Sequence, residues 1–279
     1  MITDPTQVRP STASTDTLDV PGARLHYELR GSGPLVVLVG APMDAVAFAP
    51  LADQLATDHT VLTTDPRGIN RSSVADRDQD STPQLRAADL AHLITHLDAG
   101  PAAVFGSSGG AVSALALVQA RPDLVRTAIV HEPPLVLLLD DRDEIRAQTE
   151  DYIATYLAGD VVGAWRKFFA AADITVPDAV LEQMVGGERD PQVVADEQFW
   201  FEHEMRGSDF WEPDLTVLAA SPSRIVVGVG EQSAGQMCTR TAAALAGALG
   251  TEPEVFPGDH TGFVADPEAF AATLRPLLG

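Results

Sequence analysis

Short apolar runs alternate with amphipathic stretches along most of this 279-residue chain. Two strand-like segments come first, "TLDV" and "ARLHYELRG", parted by a Pro-Gly turn. "PLVVLVG", "HTVLTTD", "PAAVFG" and "RTAIVHE" then read as buried strands, with helical patterns over residues 45–56, 83–97 and 110–120 between them. Continuous apolar strands alternating with helices predict crossover units, hence an α/β fold with a mostly parallel central sheet flanked by helices. The rhythm stops at Pro133, and residues 133–222 carry mainly helical patterns together with all three tryptophans, Trp165, Trp200 and Trp211. It resumes with "RIVVGVG", a helix over 236–249, "PEVFPG" and a closing helix from Pro267. The expected organisation is a core domain over 17–132 and 223–279, interrupted by a helical cap over 133–222. Residues 1–16, rich in Ser, Thr, Asp and Pro, are expected to form a flexible tail.

Composition narrows the function classes. A 45% hydrophobic share with 20 prolines and 22 glycines fits a globular chain with a sizeable core. The formal charge of −22 argues against nucleic acid or an anionic membrane as partner. Cys238 is the only cysteine, which excludes intramolecular disulfides and thiolate metal clusters. No uninterrupted apolar stretch approaches the ~20 residues that span a bilayer, and the polar N-terminus lacks the apolar core of a secretory signal. A cytoplasmic protein is therefore expected. "HEPPL" is not the H-E-x-x-H zinc signature, and its prolines break the helix that motif needs, so neither metal nor cofactor is expected. The oligomeric state stays open, a homodimer among the options.

The chemistry begins at "AVFGSSGGAVSALAL", where Gly106-Ser107-Ser108-Gly109-Gly110 lies between a strand and a helix. This is G-x-S-x-G centred on Ser108, with glycines that let a strand turn sharply into a helix and leave the hydroxyl exposed. Ser107 fails the same test because Phe105 occupies its preceding glycine position. A Gly/Ser-rich turn without chemistry is the plain alternative. A phosphate loop is disfavoured, since neither its lysine nor G-x-G-x-x-G spacing is present. A serine nucleophile needs a base held by a carboxylate. His260 in "EVFPGDHTGF" follows the last strand, as the chain order Ser…acid…His requires, whereas His26, His59, His92, His96 and His203 lack supporting context. The expected oxyanion donors are the backbone amides of Gly109 and Ala41. Met43 is the other amide in that loop, because Pro42 has none, and it also counts as a candidate substrate contact.

The acid is less direct. An aspartate would be sought in "IVVGVGEQSAGQ", the loop after the late strand, and none is there. Glu132 ends "RTAIVHE" at the same sheet rim, and neighbouring strands lie ~4.8 Å apart, within reach of the same imidazole for a glutamate. Alternation along the strand then makes His131 a packed structural residue. Glu231, Asp140 and Asp141 remain rivals, and a solvated carboxylate at a strand end is the non-catalytic reading of Glu132.

With these residues placed, the chain resembles α/β-hydrolase fold serine hydrolases and, more narrowly, the zearalenone-lactone hydrolases. The likeness is carried by "VFGSSGGAVSALALVQARPDLVRTAIVHEPP" and "FPGDHTGFVADPEAF". It implies a Ser-Glu-His triad at Ser108, Glu132 and His260, and a cap tryptophan against the ligand, for which Trp200 and Trp211 are both candidates. Phe201 completes the candidate contacts, although most cap aromatics are expected simply to pack together. The likeness fades within the cap, and Asn70 in "DPRGINRSS" replaces a glycine usual in that family. The function expected is cofactor-free cleavage of an apolar small-molecule ester or lactone. The same residues also serve C–C hydrolases, perhydrolases and lyases, and a non-catalytic receptor on this fold is the third class. The acid assignment is tested by two variants: Glu132→Ala is expected to abolish ester turnover and Glu231→Ala to retain it. The reverse outcome puts the acid in the late loop.

Overall fold

The computed structural model describes residues 13–279. Residues 1–12 of the expected tail lie outside the described residues. Residues 14–16 are not tail but open β1 (Ser14–Val20), which pairs antiparallel with β2 (Ala23–Gly31) from Ser14 opposite Leu29 to Val20 opposite Ala23. The ladder hydrogen bonds of that long hairpin outweigh the polar composition that suggested a tail. The remaining strands are β3 (Leu35–Val39), β4 (Thr60–Thr64), β5 (Ser73–Val74), β6 (Ala102–Ser107), β7 (Val125–His131), β8 (Arg224–Gly230) and β9 (Glu254–Phe256). Among the described residues they form one sheet in the order β1-β2-β4-β3-β6-β7-β8-β9, with short β5 beside β2. From β4 to β9 every pairing is parallel. The two-residue β5, too short to leave a periodic signal, is the strand that sequence patterning misses.

Helices α1 (Ala45–Leu55), α2 (Pro83–Leu97) and α3 (Gly109–Ala120) are the crossovers between parallel strands. Between β7 and β8 the chain runs through α4 (Arg142–Leu157), α5 (Val161–Ala171), α6 (Asp178–Val185), α7 (Pro191–Phe199), α8 (Met205–Asp209) and α9 (Leu215–Ala219). A π-helical turn over Trp200–Glu204 joins α7 to α8. Then α10 (Met237–Leu249), α11 (Gly262–Ala265) and α12 (Pro267–Leu274) complete the chain.

Strand alternation divides the core in two. Leu35, Val37, Val39, Val104, Ala128 and Val130 join the cluster beneath α2, α3 and α10, while Val36, Leu38, Phe105 and Ile129 join Phe48, Phe256, Phe263 and Phe270 on the other face. Each Val, Leu, Ile or Phe among them contributes about 1.5–3 kcal/mol by leaving water, so both faces anchor the sheet. The parallel arrangement brings the C-terminal ends of β3, β6, β7, β8 and β9 to one rim, where ligands bind in open α/β sheets.

A buried ion pair fixes one flank of that rim. Arg67, in the loop after β4, makes a bidentate contact with Asp89 of α2 at 2.7 and 2.6 Å, and both side chains are buried. Removing one partner strands a charge away from water. Arg67→Met is therefore expected to cost about 3–5 kcal/mol of folding stability, measured by urea denaturation; a cost under about 1 kcal/mol would show that the pair behaves as a surface one.

Candidate active site

The strand–turn–helix at β6 and α3 determines where Ser108 sits. Its backbone adopts φ 55° and ψ −126°, a conformation that non-glycine residues rarely hold and that costs on the order of 1–3 kcal/mol. The flanking glycines make the turn possible. A Cβ on Gly106 would lie 2.4 Å from Gly110 O, and one on Gly110 would lie 2.1 Å from Val39 O. Any side chain at either position would push α3 away from β6 or β3. The Ser108 amide donates to His131 O at 3.0 Å, tying the turn to β7. The Gly109 and Ala41 amides are not spent on any turn or cap hydrogen bond among the described residues.

Glu132 follows β7 with φ 49°, so the alternation breaks there and its side chain turns along the rim. The carboxylate has no exposed surface. Oε2 meets His260 Nδ1 at 2.5 Å, while Oε1 accepts from the Gly230 amide at 2.8 Å and from Thr239 Oγ1 at 3.4 Å. Its own amide donates to Gly228 O. The side chain thus reaches across β8 to the histidine that follows β9. Burial alone would raise this carboxyl. The hydrogen bond and charge of His260, then the His131 charge and the Gly230 amide, outweigh it and hold the group at about 2. Glu132 is ionised at neutral pH, and it fixes His260 with Nδ1 toward the acid.

His131 faces the other way. It has no exposed surface and sits among Phe105, Phe256 and Phe270, with Nδ1 3.3 Å from Ser107 Oγ. Burial lowers it to about 4, only partly offset by the Glu132 charge. Ser107, facing His131 and fully buried, is excluded from the cavity, as its sequence context implied.

Ser108 and His260 line one cavity of about 280 Å³. The His260 ring is bonded through Nδ1 to Glu132, and the Ser108 and His260 side chains make no direct hydrogen bond. Ala41, Gly109, Pro134, Met205, Met237 and Ile174 contribute to the wall, and Phe168, Phe169 and Trp200 give it an aromatic side. Ser208, Asp209, Gln236, Cys238, Asp259 and Thr261 are its other residues with polar side chains. Asp209 is pushed up to about 7 by burial, the long Tyr152 hydrogen bond at 3.5 Å notwithstanding. Among the described residues no three potential metal ligands cluster.

The profile of the alpha/beta hydrolase family matches residues 35–273, which includes every residue of this rim. The chain belongs to that family. An uncharacterized hydrolase, YraK, of Bacillus subtilis (strain 168) is 32% identical over 280 residues, covering 96% of this chain and 97% of its own. A zearalenone hydrolase of Bionectria ochroleuca is 29% identical over 266 residues, 91% of this chain and 94% of its own, in line with the resemblance in the elbow and histidine segments. The structure of an alpha/beta hydrolase from Sphaerobacter thermophilus DSM 20745 matches with a TM-score of 0.69 at 24% identity, covering 95% of this chain and 100% of that one. At that identity the match speaks for the fold alone.

Within this hydrolase the candidates separate. Ser108, Gly109, Ala41 and His260 share the cavity, Glu132 joins through His260, and Trp200 lies on the aromatic wall. Three candidate substrate contacts are corrected. Trp211 is buried in the core cluster beneath α2 and α3, Phe201 stacks on Tyr156 at 4.1 Å inside the helical segment, and Met43 packs against the core face that holds Phe48. Each is held by apolar neighbours away from the cavity wall. Glu231 is exposed, and Asp141 binds Arg240 at 2.7 Å. Asn70 adopts the left-handed φ of 49° open to the glycine it replaces, and its side chain donates to Asp44 at 2.7 Å. Phe168 and Phe169 stand in the sequence only as cap aromatics expected to pack, and Ser208 and the start of α10 carry no signal, because no local motif marks residues that converge only through helix packing.

Acid should remove the stability that a neutral His131 contributes at this rim. His131 stays neutral in the folded state down to about 4 but takes a proton near 6.5 when unfolded, so its own contribution is full above 6.5 and is lost as pH drops toward 4, while Asp209, raised to about 7, acts in the opposite sense. That gap corresponds to about 3 kcal/mol. Glu132, depressed from 4.5 to about 2, adds a further loss below 4.5. His131→Phe is expected to flatten the decline between pH 6.5 and 4 in denaturation curves; an unchanged slope would remove His131 as its source.

Proposed function

We propose that the protein is a cofactor-free serine hydrolase that cleaves an apolar carboxylic ester or lactone through Ser108, His260 and Glu132. One observation carries this reading: a fully buried carboxylate 2.5 Å from a histidine that shares an apolar cavity with the elbow serine. A buried glutamate–histidine pair beside a serine in a strained turn has the chemistry of an activated nucleophile.

In this mechanism Ser108 Oγ attacks the substrate carbonyl as His260 Nε2 takes its proton. The Glu132 charge holds the ring and stabilises the imidazolium. Negative charge on the carbonyl oxygen is met by the Gly109 and Ala41 amides at the N-terminus of α3, where the helix dipole also favours an anion. Collapse of the tetrahedral intermediate breaks the C–O bond, and His260 returns the proton to the leaving alcohol. Water, deprotonated by His260, then attacks the acyl-enzyme and frees Ser108.

Residues 133–222 act as a cap over this site and contribute much of its wall, including Phe168, Phe169, Trp200 and Met205. That wall suits an apolar acyl or alcohol group, and the likeness to a zearalenone hydrolase supports a lactone among the substrates. Ser108→Ala is expected to lower kcat on p-nitrophenyl esters on the order of 10⁴–10⁶-fold and to abolish fluorophosphonate labelling. Undiminished turnover in that variant would refute the mechanism.

A further inference from the structure

A second serine in the cavity has a hydrogen-bond arrangement that the mechanism above does not use. Arg86 of α2 is buried, and its guanidinium donates to Ser208 Oγ at 2.8 Å, to Ser113 Oγ at 2.8 Å, and to the carbonyl and hydroxyl of Ser81. Ser113 in turn donates to Gly109 O at 2.9 Å, so one cation ties α8 of the cap to the first turn of α3. Glu204, also buried, lies 4.0 Å from Arg86 and makes no hydrogen bond among the described residues. Burial raises its pKa, with the Arg86 charge a partial offset, and it leaves free the guanidinium donors that reach the serines.

A hydroxyl has one proton and two acceptor sites. Ser208 Oγ spends an acceptor site on Arg86, and its proton has no acceptor among the described residues. Accepting from a buried cation polarises the O–H bond and makes it a stronger donor. The hydroxyl is also well placed. Ser208 lines the cavity, and its Oγ is 3.3 Å from where a Gly109 Cβ would project. At that same point Ala41 closes in, with its O at 2.6 Å and its Cβ at 3.1 Å. Ser208 therefore stands over the two residues whose amides the mechanism uses.

Resting on the serine-hydrolase reading, we propose that Ser208 is a third oxyanion donor, its Arg86-polarised hydroxyl donating to the substrate carbonyl oxygen as that oxygen gains negative charge. Arg86 is then a positioning residue, acting only through Ser208. The oxyanion site is complete only when α8 is seated against α3, so closure of the cap and readiness of the site are one event.

The competing role for Ser208 is simply to satisfy Arg86. The two are separated by kinetics of Ser208→Ala alongside wild type, with folded sites counted by fluorophosphonate titration. The probes are a p-nitrophenyl ester, an alkyl trifluoromethyl ketone, which forms an oxyanion on Ser108, and the matching alcohol, which does not. The expected result is a kcat lower by about 10²-fold, KM within about twofold, ketone affinity reduced in parallel with kcat and alcohol affinity unchanged. Wild-type kcat in the variant, or equal losses for ketone and alcohol, would overturn the donor role. Absence of ester turnover and of labelling in the wild type would instead overturn the hydrolase reading on which it rests.

Discussion

The rim depends on one buried negative charge. Taking a carboxylate fully out of water is costly unless hydrogen bonds and an opposite charge replace the lost hydration. Around Glu132 these are the Gly230 amide, the Thr239 hydroxyl and the His260 ring. They come from the end of β8, the start of α10 and the loop after β9, so the anion joins three segments far apart in sequence. The hydrogen bond and charge of His260, with the His131 charge and the Gly230 amide, account for its low pKa. A carboxylate held near 2 keeps its charge at neutral and mildly acidic pH, as the base proposed at His260 would require beside it.

The helical segment supplies the opposite kind of environment. Around Phe168 its aromatic side chains pack edge to face, with Trp165 at 5.3 Å and Trp200 at 5.4 Å. Such contacts hold rings with few rotamers to lose, so Trp200 and Phe168 form a firm wall. The π-helical turn at Trp200–Glu204 sits between that wall and Ser208. Turns of this kind concentrate at functional sites because they re-aim side chains within a helix. Here the turn lets Trp200 face the cavity while Glu204 remains beside Arg86.

Fold and elbow were legible in the sequence because their signals are local. Continuous apolar runs give parallel strands, and glycines two residues either side of Ser108 give the turn, whose need for them is measured by the 2.1–2.4 Å approaches at Gly106 and Gly110. The pairing of Glu132 with His260 was legible only as one option, since a shared rim and a strand spacing make it reachable but leave Glu231, Asp140 and Asp141 as rivals. The 2.5 Å contact is what the structure adds. The cavity wall was not legible. Composition marks Trp200, Phe201 and Trp211 equally, but only packing decides which of the three aromatics faces a void. Ser208 carried no signal, because its chemistry depends on an arginine 122 positions earlier.

The late loop that lacks an aspartate, "IVVGVGEQSAGQ", has a physical reason to lack one. One imidazole Nδ1 can pair with one carboxylate. A second at the end of β8 would face Glu132 in a space without solvent, and two neighbouring carboxylates there raise each other's pKa until one takes a proton. A neutral acid could no longer stabilise the imidazolium. The loop instead gives its Gly230 amide to Glu132 and turns Glu231 outward. Gly228 and Gly230 are also small where it matters. A Cβ on Gly228 would meet the Phe256 ring at 2.7 Å, and one on Gly230 would meet Gly258 O at 2.8 Å. Side chains at these positions would displace the Phe256 ring and the turn at Gly258 that leads to His260. The carboxylate just after β7 and the Gly230 amide that ends β8 are therefore two parts of one arrangement, and moving the acid to the late loop would leave that amide without its acceptor.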